Sequence, residues 1–215
     1  MALKKADTLD DQQFKKMLQE VVKTVRRPNV EMVVFLMSYK AGLRSQEIAG
    51  LEWDRHLLDV DGNIKHQEFK TAGARGRMKR EEHPVLWISE DIGKYGSERT
   101  LRIHPVLFKA LLTLRAENHP GRFVIPSGKR GASEDLGCRA HALTFRINRY
   151  YKKMGLDKCT THSGRRTFIT KAARTATFAG CSLVDVQDMA GHRQLTTTQE
   201  YIDTTAQQAD LIGML

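Results

Sequence analysis

The stretch THSGRRTF, residues 161–168, sets a histidine and two consecutive arginines at the start of a helix-like run, ITKAARTATFAG. Ser163 reads as its N-cap and Gly180 as its close. Arg165 and Arg166 would then occupy the first turn, where the helix dipole already presents partial positive charge and favours carboxylates. Guanidiniums there call for an anion, and a phosphate suits the unpaired amides of a helix start. A solvated basic turn, or an arginine paired with a distant carboxylate, fits the octapeptide equally well. Arg44 stands directly before a second helix start in AGLRSQEIAGLEW, with Glu47 three residues on. His192 follows Ala190-Gly191 at a third helix end, and Tyr201 comes nine residues later. Arg44 and Arg165 can each offer a planar fork to phosphate oxygens, a geometry that lysine does not reproduce.

Bulk properties bound the scaffold that must position these groups. With 215 residues, 40% hydrophobic and 7% aromatic, the chain suits an ordinary globular core and not a disordered segment. Lys and Arg number 35 against 25 Asp and Glu, and the resulting net charge of +10 favours a polyanionic partner, nucleic acid ahead of an acidic membrane surface. Cys138, Cys159 and Cys181 lie far apart without CxxC spacing, which argues against a disulfide framework and a zinc site and fits a reducing cytosol. The opening MALKKADTLDDQQFKK holds no secretory apolar region, and the apolar run MVVFLMSYKAGL is interrupted by Lys40 and too short for a bilayer. A soluble cytoplasmic protein is expected.

Helical spacing of Phe14, Leu18, Val21 and Val22 predicts a helix over 9–25, ended by Pro28, and a second over 29–41 stopped at Ala41-Gly42. Ser45 reads as the N-cap of a short third helix, QEIAGLEW. Asp61-Gly62 within LLDVDGNIKHQEF predicts a hairpin. The run KTAGARGRMKREEH carries Lys70, Arg75, Arg77, Lys79 and Arg80, and reads as a loop that is either solvated or tracks a phosphate backbone. Strands are predicted over 84–89 and 98–105 around EDIGKYG. Helices return over 106–119, 142–155, from the opening octapeptide, over 183–191 and over Thr196–Leu215, with 126–137 a loop. Residues 1–215 thus read as one α+β domain, mostly helical, with a small antiparallel β-sheet of three or four strands.

In AGLRSQEIAGLEW, THSGRRTF and AGHRQLTTTQEYI, taken in that order, the chain resembles the tyrosine recombinase (phage integrase) family. The GH-x8-Y spacing with TTTQ inside it is the most specific part of the match. The resemblance implies the tyrosine recombinase catalytic fold and a catalytic set of Arg44, His162, Arg165, His192 and Tyr201. GKYGSER (93–99) is similar to the family's GKG-x-x-x-R, which makes Lys94 the family lysine, with Lys70 of EFKTAGARG as runner-up. Arg166 stands where many members have a second histidine, and its role stays open between phosphate contact and solvated surface.

The chemistry that follows is phosphoryl transfer, in which fixed cations stabilise charge on the non-bridging oxygens. Tyr201 is the expected nucleophile; a phenol of pKa about 10 needs nearby positive charge or a base to lose its proton. His162 is the expected helper, as base or phosphate donor, His192 is expected to donate to a phosphate oxygen, and Lys94 to protonate the departing 5′ oxygen. Glu47 is expected to orient an arginine and not to react. The resemblance implies a 3′-phosphotyrosyl intermediate, reversed by a second 5′-hydroxyl without ATP, with no cofactor and no metal.

Most members carry an N-terminal DNA-clamping (core-binding) domain ahead of the catalytic one, so residues 1–215 read as the catalytic domain alone, either excised or a natural short form. The implied partners are double-stranded DNA and further copies of the chain, a tetramer on paired sites, with no membrane and a nucleoid-associated cytoplasmic location. Two other readings stand beside this one: a type IB topoisomerase-like DNA relaxing enzyme, and a non-catalytic DNA-binding module of the same fold. The apolar tip ADLIGML is expected to dock on a neighbouring subunit, or to fold back on its own core.

Overall fold

The computed structural model describes residues 6–72, 78–117, 121–129, 131–133 and 135–201. Helix α1 (Asp11–Thr24) starts from a capping box, in which the Asp10 carboxylate accepts from the Gln13 amide at 2.7 Å and the Gln13 side chain accepts from the Asp10 amide. Helix α2 (Pro28–Lys40) begins at Pro28, where the missing N–H costs nothing. Nearly every face of α2 is covered: Val30, Val33, Val34, Phe35, Leu36, Met37, Ser38 and Tyr39 are all buried. A helix apolar all round belongs at the centre, and α2 packs against α1, α4 (Pro105–Ala116) and α6 (Thr161–Thr175). Each large side chain so buried contributes about 1.5–3 kcal/mol.

Helix α3 covers Ser45–Gly50, and Arg44, not Ser45, is its cap residue; Leu51 leaves the helix and Trp53–Leu57 form a separate π-helical turn. The expected hairpin at Asp61-Gly62 reduces to a single bridge, Leu58 to Ile64. The cause is Asp59, whose carboxylate accepts from the amides of Asp61 and Asn63 and holds a wider side-chain-closed turn.

The sheet has three antiparallel strands in sequence order: β1 (His66–Ala72), β2 (Met78–Ile88) and β3 (Arg99–Arg102). Most of the basic run expected to be a loop is strand, with Lys70 opposite Arg80 and Glu68 opposite Glu82. Like charges face one another directly, yet Arg80 reaches diagonally across to Glu68 at 3.3 Å, and Lys79 pairs with Glu81 along β2 at 2.6 Å, so partners of opposite sign stand nearby. Arg75 and Arg77 lie outside the described residues. Leu86, Ile88 and Leu101 tie the inner half of the sheet to the core.

Helix α5 (Ala140–Lys153) packs on α3, and α6 follows. The α6 N-cap is Thr160: its hydroxyl accepts from the His162 amide, while Ser163 Oγ accepts from the Thr160 amide at 2.9 Å. Asn148 Oδ1 takes the Thr161 amide at 2.9 Å. Ser163 is therefore the fully buried third helical residue, and Arg165 sits a turn deeper than expected. Gly164 lets α6 approach α2 closely, because a Cβ there would lie 2.4 Å from Ser38 Oγ. A second, smaller core of Ile169, Ala176, Val186 and Ala190 joins α6 to α7 (Leu183–Ala190), with Tyr201 packed against it. Helix α8 covers only Leu195–Gln199, and the expected helix beyond it, with the ADLIGML tip, lies outside the described residues.

Candidate active site

The opening octapeptide does not present a bare helix N-terminus, because Thr160 and Asn148 side chains already occupy its first amides. Positive charge at this place comes instead from arginines gathered at the opposite kind of helix end. Three successive carbonyls where α7 stops each accept a guanidinium: Met189 from Arg99 Nε at 3.0 Å, Ala190 from Arg165 Nη2 at 2.6 Å, and Gly191 from Arg44 Nη2 at 3.2 Å. The last carbonyls of a helix lack intrahelical donors and carry the negative end of its dipole, so cations are favoured there. Gly191 ends α7 in the left-handed region (φ 62°), and a Cβ on it would meet Ser97 Oγ at 2.6 Å and Arg99 Nη1 at 2.8 Å.

Glu47 fixes two of the three. Its carboxylate accepts from Arg44 Nη1 at 2.8 Å and from Arg99 Nη1 and Nη2 at 3.1 and 3.0 Å, and it also takes the Arg44 amide at 2.8 Å as the reciprocal cap of α3. Burial of Glu47 opposes its charge, but the hydrogen bonds and charge of Arg99, with those of Arg44, outweigh that and hold the carboxyl below its usual range. Arg165, 3% exposed, also donates Nη1 to the Gly42 carbonyl at 2.5 Å. Burial and then Arg44 pull its pKa down to about 10, which leaves it cationic at neutral pH.

His192 accepts at Nε2 from Arg165 Nη2 at 2.9 Å, and its Nδ1 lies 2.9 Å from Thr198 Oγ1. A guanidinium is donor only, so the network assigns the proton to Nδ1, which donates to Thr198. Burial, then Arg165, Arg44 and Arg99, push His192 down to about 4. Its Nε2 is thus an acceptor from Arg165 here, at the atom expected from the sequence to meet a phosphate oxygen. His162 keeps solvent contact, yet crowding by the protein and the charges of Arg165, Arg44 and Lys94 lower its pKa as well. Both imidazoles are neutral at pH 7.

A cleft of about 460 Å³ is lined by Arg44, Lys94, His162, Arg165, His192 and Tyr201 together. Lys94 reaches it from a 3₁₀ turn, Lys94–Gly96, between β2 and β3. The Tyr201 ring stacks on His192 with centroids 5.5 Å apart, and its carbonyl accepts from Thr170. Tyr201 and His162 also border a neighbouring cavity of about 440 Å³ that Arg166 lines, with the Arg166 guanidinium 5.9 Å from the Tyr201 ring. Lys70, Lys79 and Arg80 stand exposed on the β1–β2 ribbon and line neither cavity. The arrangement concentrates fixed cations, two neutral imidazoles and a phenol around one anion-sized space.

Arg99 closes GKYGSER, the segment that carries Lys94, and its residue type alone does not mark it as part of the site. Thr198, wholly buried inside TTTQ, orients His192. Neither role has a local signal beyond the motif that contains it.

The model of the phage integrase family matches residues 7–208. Tyrosine recombinase XerA of Thermococcus kodakarensis is 22% identical over 199 residues, covering 93% of this chain and 58% of the relative. Tyrosine recombinase XerC of Myxococcus xanthus is 26% identical over 204 residues, covering 89% and 58%. The chain spans about 58% of the length of these relatives. Among solved structures, the Tn1549 transposon integrase with a circular intermediate DNA superposes with a TM-score of 0.68 at 16% identity, covering 99% of this chain and 66% of that one. A lambda integrase tetramer bound to a Holliday junction gives 0.62 at 15% identity, covering 94% and 49%. At these identities the superpositions establish the fold.

Proposed function

The chain belongs to the phage integrase family, and we propose that it is the catalytic domain of a site-specific DNA recombinase or integrase that cleaves and rejoins DNA through a 3′-phosphotyrosyl intermediate. The observation that carries the reading is the single cleft shared by Arg44, Lys94, His162, Arg165, His192 and Tyr201. Arg44 and Arg165 stabilise the charge that grows on the non-bridging oxygens of the scissile phosphate, using N–H groups beyond those already committed to carbonyls and Glu47.

Tyr201 Oη attacks phosphorus in line; its proton passes to neutral His162, the bond to O5′ breaks, and the Lys94 ammonium gives a proton to that oxygen. The new Tyr–phosphate ester conserves the energy of the broken bond, so a 5′-hydroxyl from another strand reverses the step with the same atoms and no ATP. When phosphate draws Arg165 toward itself, His192 Nε2 loses its present donor, and the neutral ring in its other tautomer, with the Thr198 hydroxyl donating to Nδ1, presents Nε2–H to the same oxygens. Duplex DNA as substrate, assembly of four copies on paired sites, and action in the nucleoid-containing cytoplasm belong to the same proposal. The Tn1549 integrase bound to a circular intermediate DNA and the lambda integrase tetramer bound to a Holliday junction support it by analogy of fold.

Covalent capture tests it. The protein is incubated with genomic fragments in EDTA and denatured, and protein-linked ends are sequenced beside Tyr201→Phe. Enriched 3′ attachments that vanish in Tyr201→Phe are expected. Attachment that persists in the variant would refute the assigned nucleophile, and tyrosine-dependent ends scattered without enrichment at any site would favour a relaxing enzyme.

A further inference from the structure

The turn that carries Lys94 holds the one non-glycine residue in the left-handed region among the described residues, Tyr95 at φ 61°. The family pattern GKG-x-x-x-R has glycine at this place, where a left-handed backbone is free of steric cost. A tyrosine there is strained, and such strain persists only where surrounding contacts hold it. Besides the turn's own backbone bonds, Gly96 N–H to Gly93 and Ser97 N–H to Lys94, the contacts come from Arg193, the residue after His192: its Nη2 donates to the Tyr95 carbonyl at 2.6 Å, and its guanidinium lies 5.1 Å from the centroid of the Tyr95 ring. The Lys94 ammonium lies 4.7 Å from the same ring. All three residues line the proposed active cleft.

We propose that Arg193 and Tyr95 form a latch that joins the Lys94 turn to the His192 turn and sets the position of the Lys94 ammonium. The two turns otherwise belong to different parts of the fold, the sheet and the end of α7. The carbonyl bond fixes the backbone next to Lys94, and the ring face, attractive to cations, gathers both side chains beside one another. Arg193 and Tyr95 are positioning residues; Lys94 is the group that meets the leaving oxygen. The inference rests on the proposed cleavage reaction for its consequence but not for its geometry.

Two readouts separate the latch from the reaction. Hydrogen exchange across residues 93–98 is compared in the full chain, Arg193→Ala, Arg193→Lys and Tyr95→Gly. Faster exchange is expected in Arg193→Ala and in Tyr95→Gly, despite the relief of left-handed strain in the latter, with Arg193→Lys close to the parent. Exchange unchanged in Arg193→Ala overturns the latch whether or not the protein cleaves DNA.

The second readout uses captured target DNA carrying either oxygen or sulfur at the scissile 5′ bridging position. A thiolate leaves without a proton, so a defect in leaving-group protonation disappears with sulfur. Cleavage of the oxygen substrate by Arg193→Ala is expected to slow by up to about 100-fold, within the range of general-acid contributions, and to return to parent rate with sulfur. Equal slowing on both substrates would overturn the assignment to Lys94 positioning. Absence of cleavage by the parent on either substrate would sink the proposed reaction and leave exchange to judge the latch.

Discussion

Glu47 is the residue whose environment explains most about its neighbours. It is fully buried and holds Arg44 and Arg99, themselves largely buried, in fixed directions. Removing one partner of a buried ion pair typically costs about 3–5 kcal/mol, because the remaining charge is left uncompensated. Glu47→Gln is therefore expected to lose stability of that order in urea unfolding, and cleavage with it, as the forks of Arg44 and Arg99 lose their anchor. A second expectation follows from the imidazoles. The pKa of His192 is about 4, below its ordinary 6.5, and that of His162 is also lowered, so the unfolded chain takes up these protons first as pH falls. Stability from this source is whole above about pH 6.5 and is lost as pH drops toward 4, where Glu47 adds a further loss. Urea midpoints from pH 7.5 to 4 should fall over that window, and His192→Asn should flatten the fall. A midpoint independent of pH there would contradict the assigned neutral state.

At the scale of elements, the site depends on how closely α7 approaches β3. Gly191→Ala places a Cβ against Ser97 Oγ and Arg99 in a left-handed backbone. It is expected to cost about 1–3 kcal/mol through crowding and strain, seen in thermal unfolding, and to impair cleavage more than it impairs DNA binding. The helices and their order were legible from apolar spacing, and Arg44, His162, Arg165, His192 and Tyr201 from their motifs. Helix starts were less so: Ser163 has the right type for an N-cap, but Thr160 takes that place and Ser163 becomes its reciprocal partner at the third helical position. The KTAGARGRMKREEH run reads as loop by charge, while diagonal Arg80–Glu68 pairing across the ribbon is visible only once the strands are in register. The role of Arg99 is hidden for a similar reason. Nothing local says that an arginine on β3 meets a glutamate on α3.

For the whole molecule, a net charge of +10 and exposed Lys70, Lys79 and Arg80 on the ribbon make binding to a polyanion strongly dependent on salt. If the domain neutralises about 6–10 phosphates, affinity for duplex DNA should drop by roughly 10³–10⁵ between about 50 and 200 mM salt. Fluorescence anisotropy with unrelated duplexes checks this, and a flat response would remove the electrostatic argument for the partner. Charge reversal at Lys70 and Arg80 should weaken binding without altering the bond-breaking step, because neither lines the cleft.

The most direct test is chemical. Protein captured on cleaved DNA is digested with nuclease and trypsin, and the peptide beginning at Gln194, which contains Tyr201, is examined by mass spectrometry for a residual nucleotide. A 3′-linked nucleotide on Tyr201 and a free 5′-hydroxyl on the released strand are expected. A nucleotide on another residue, a 5′ linkage, or cleaved DNA with no protein attached would contradict the proposed reaction.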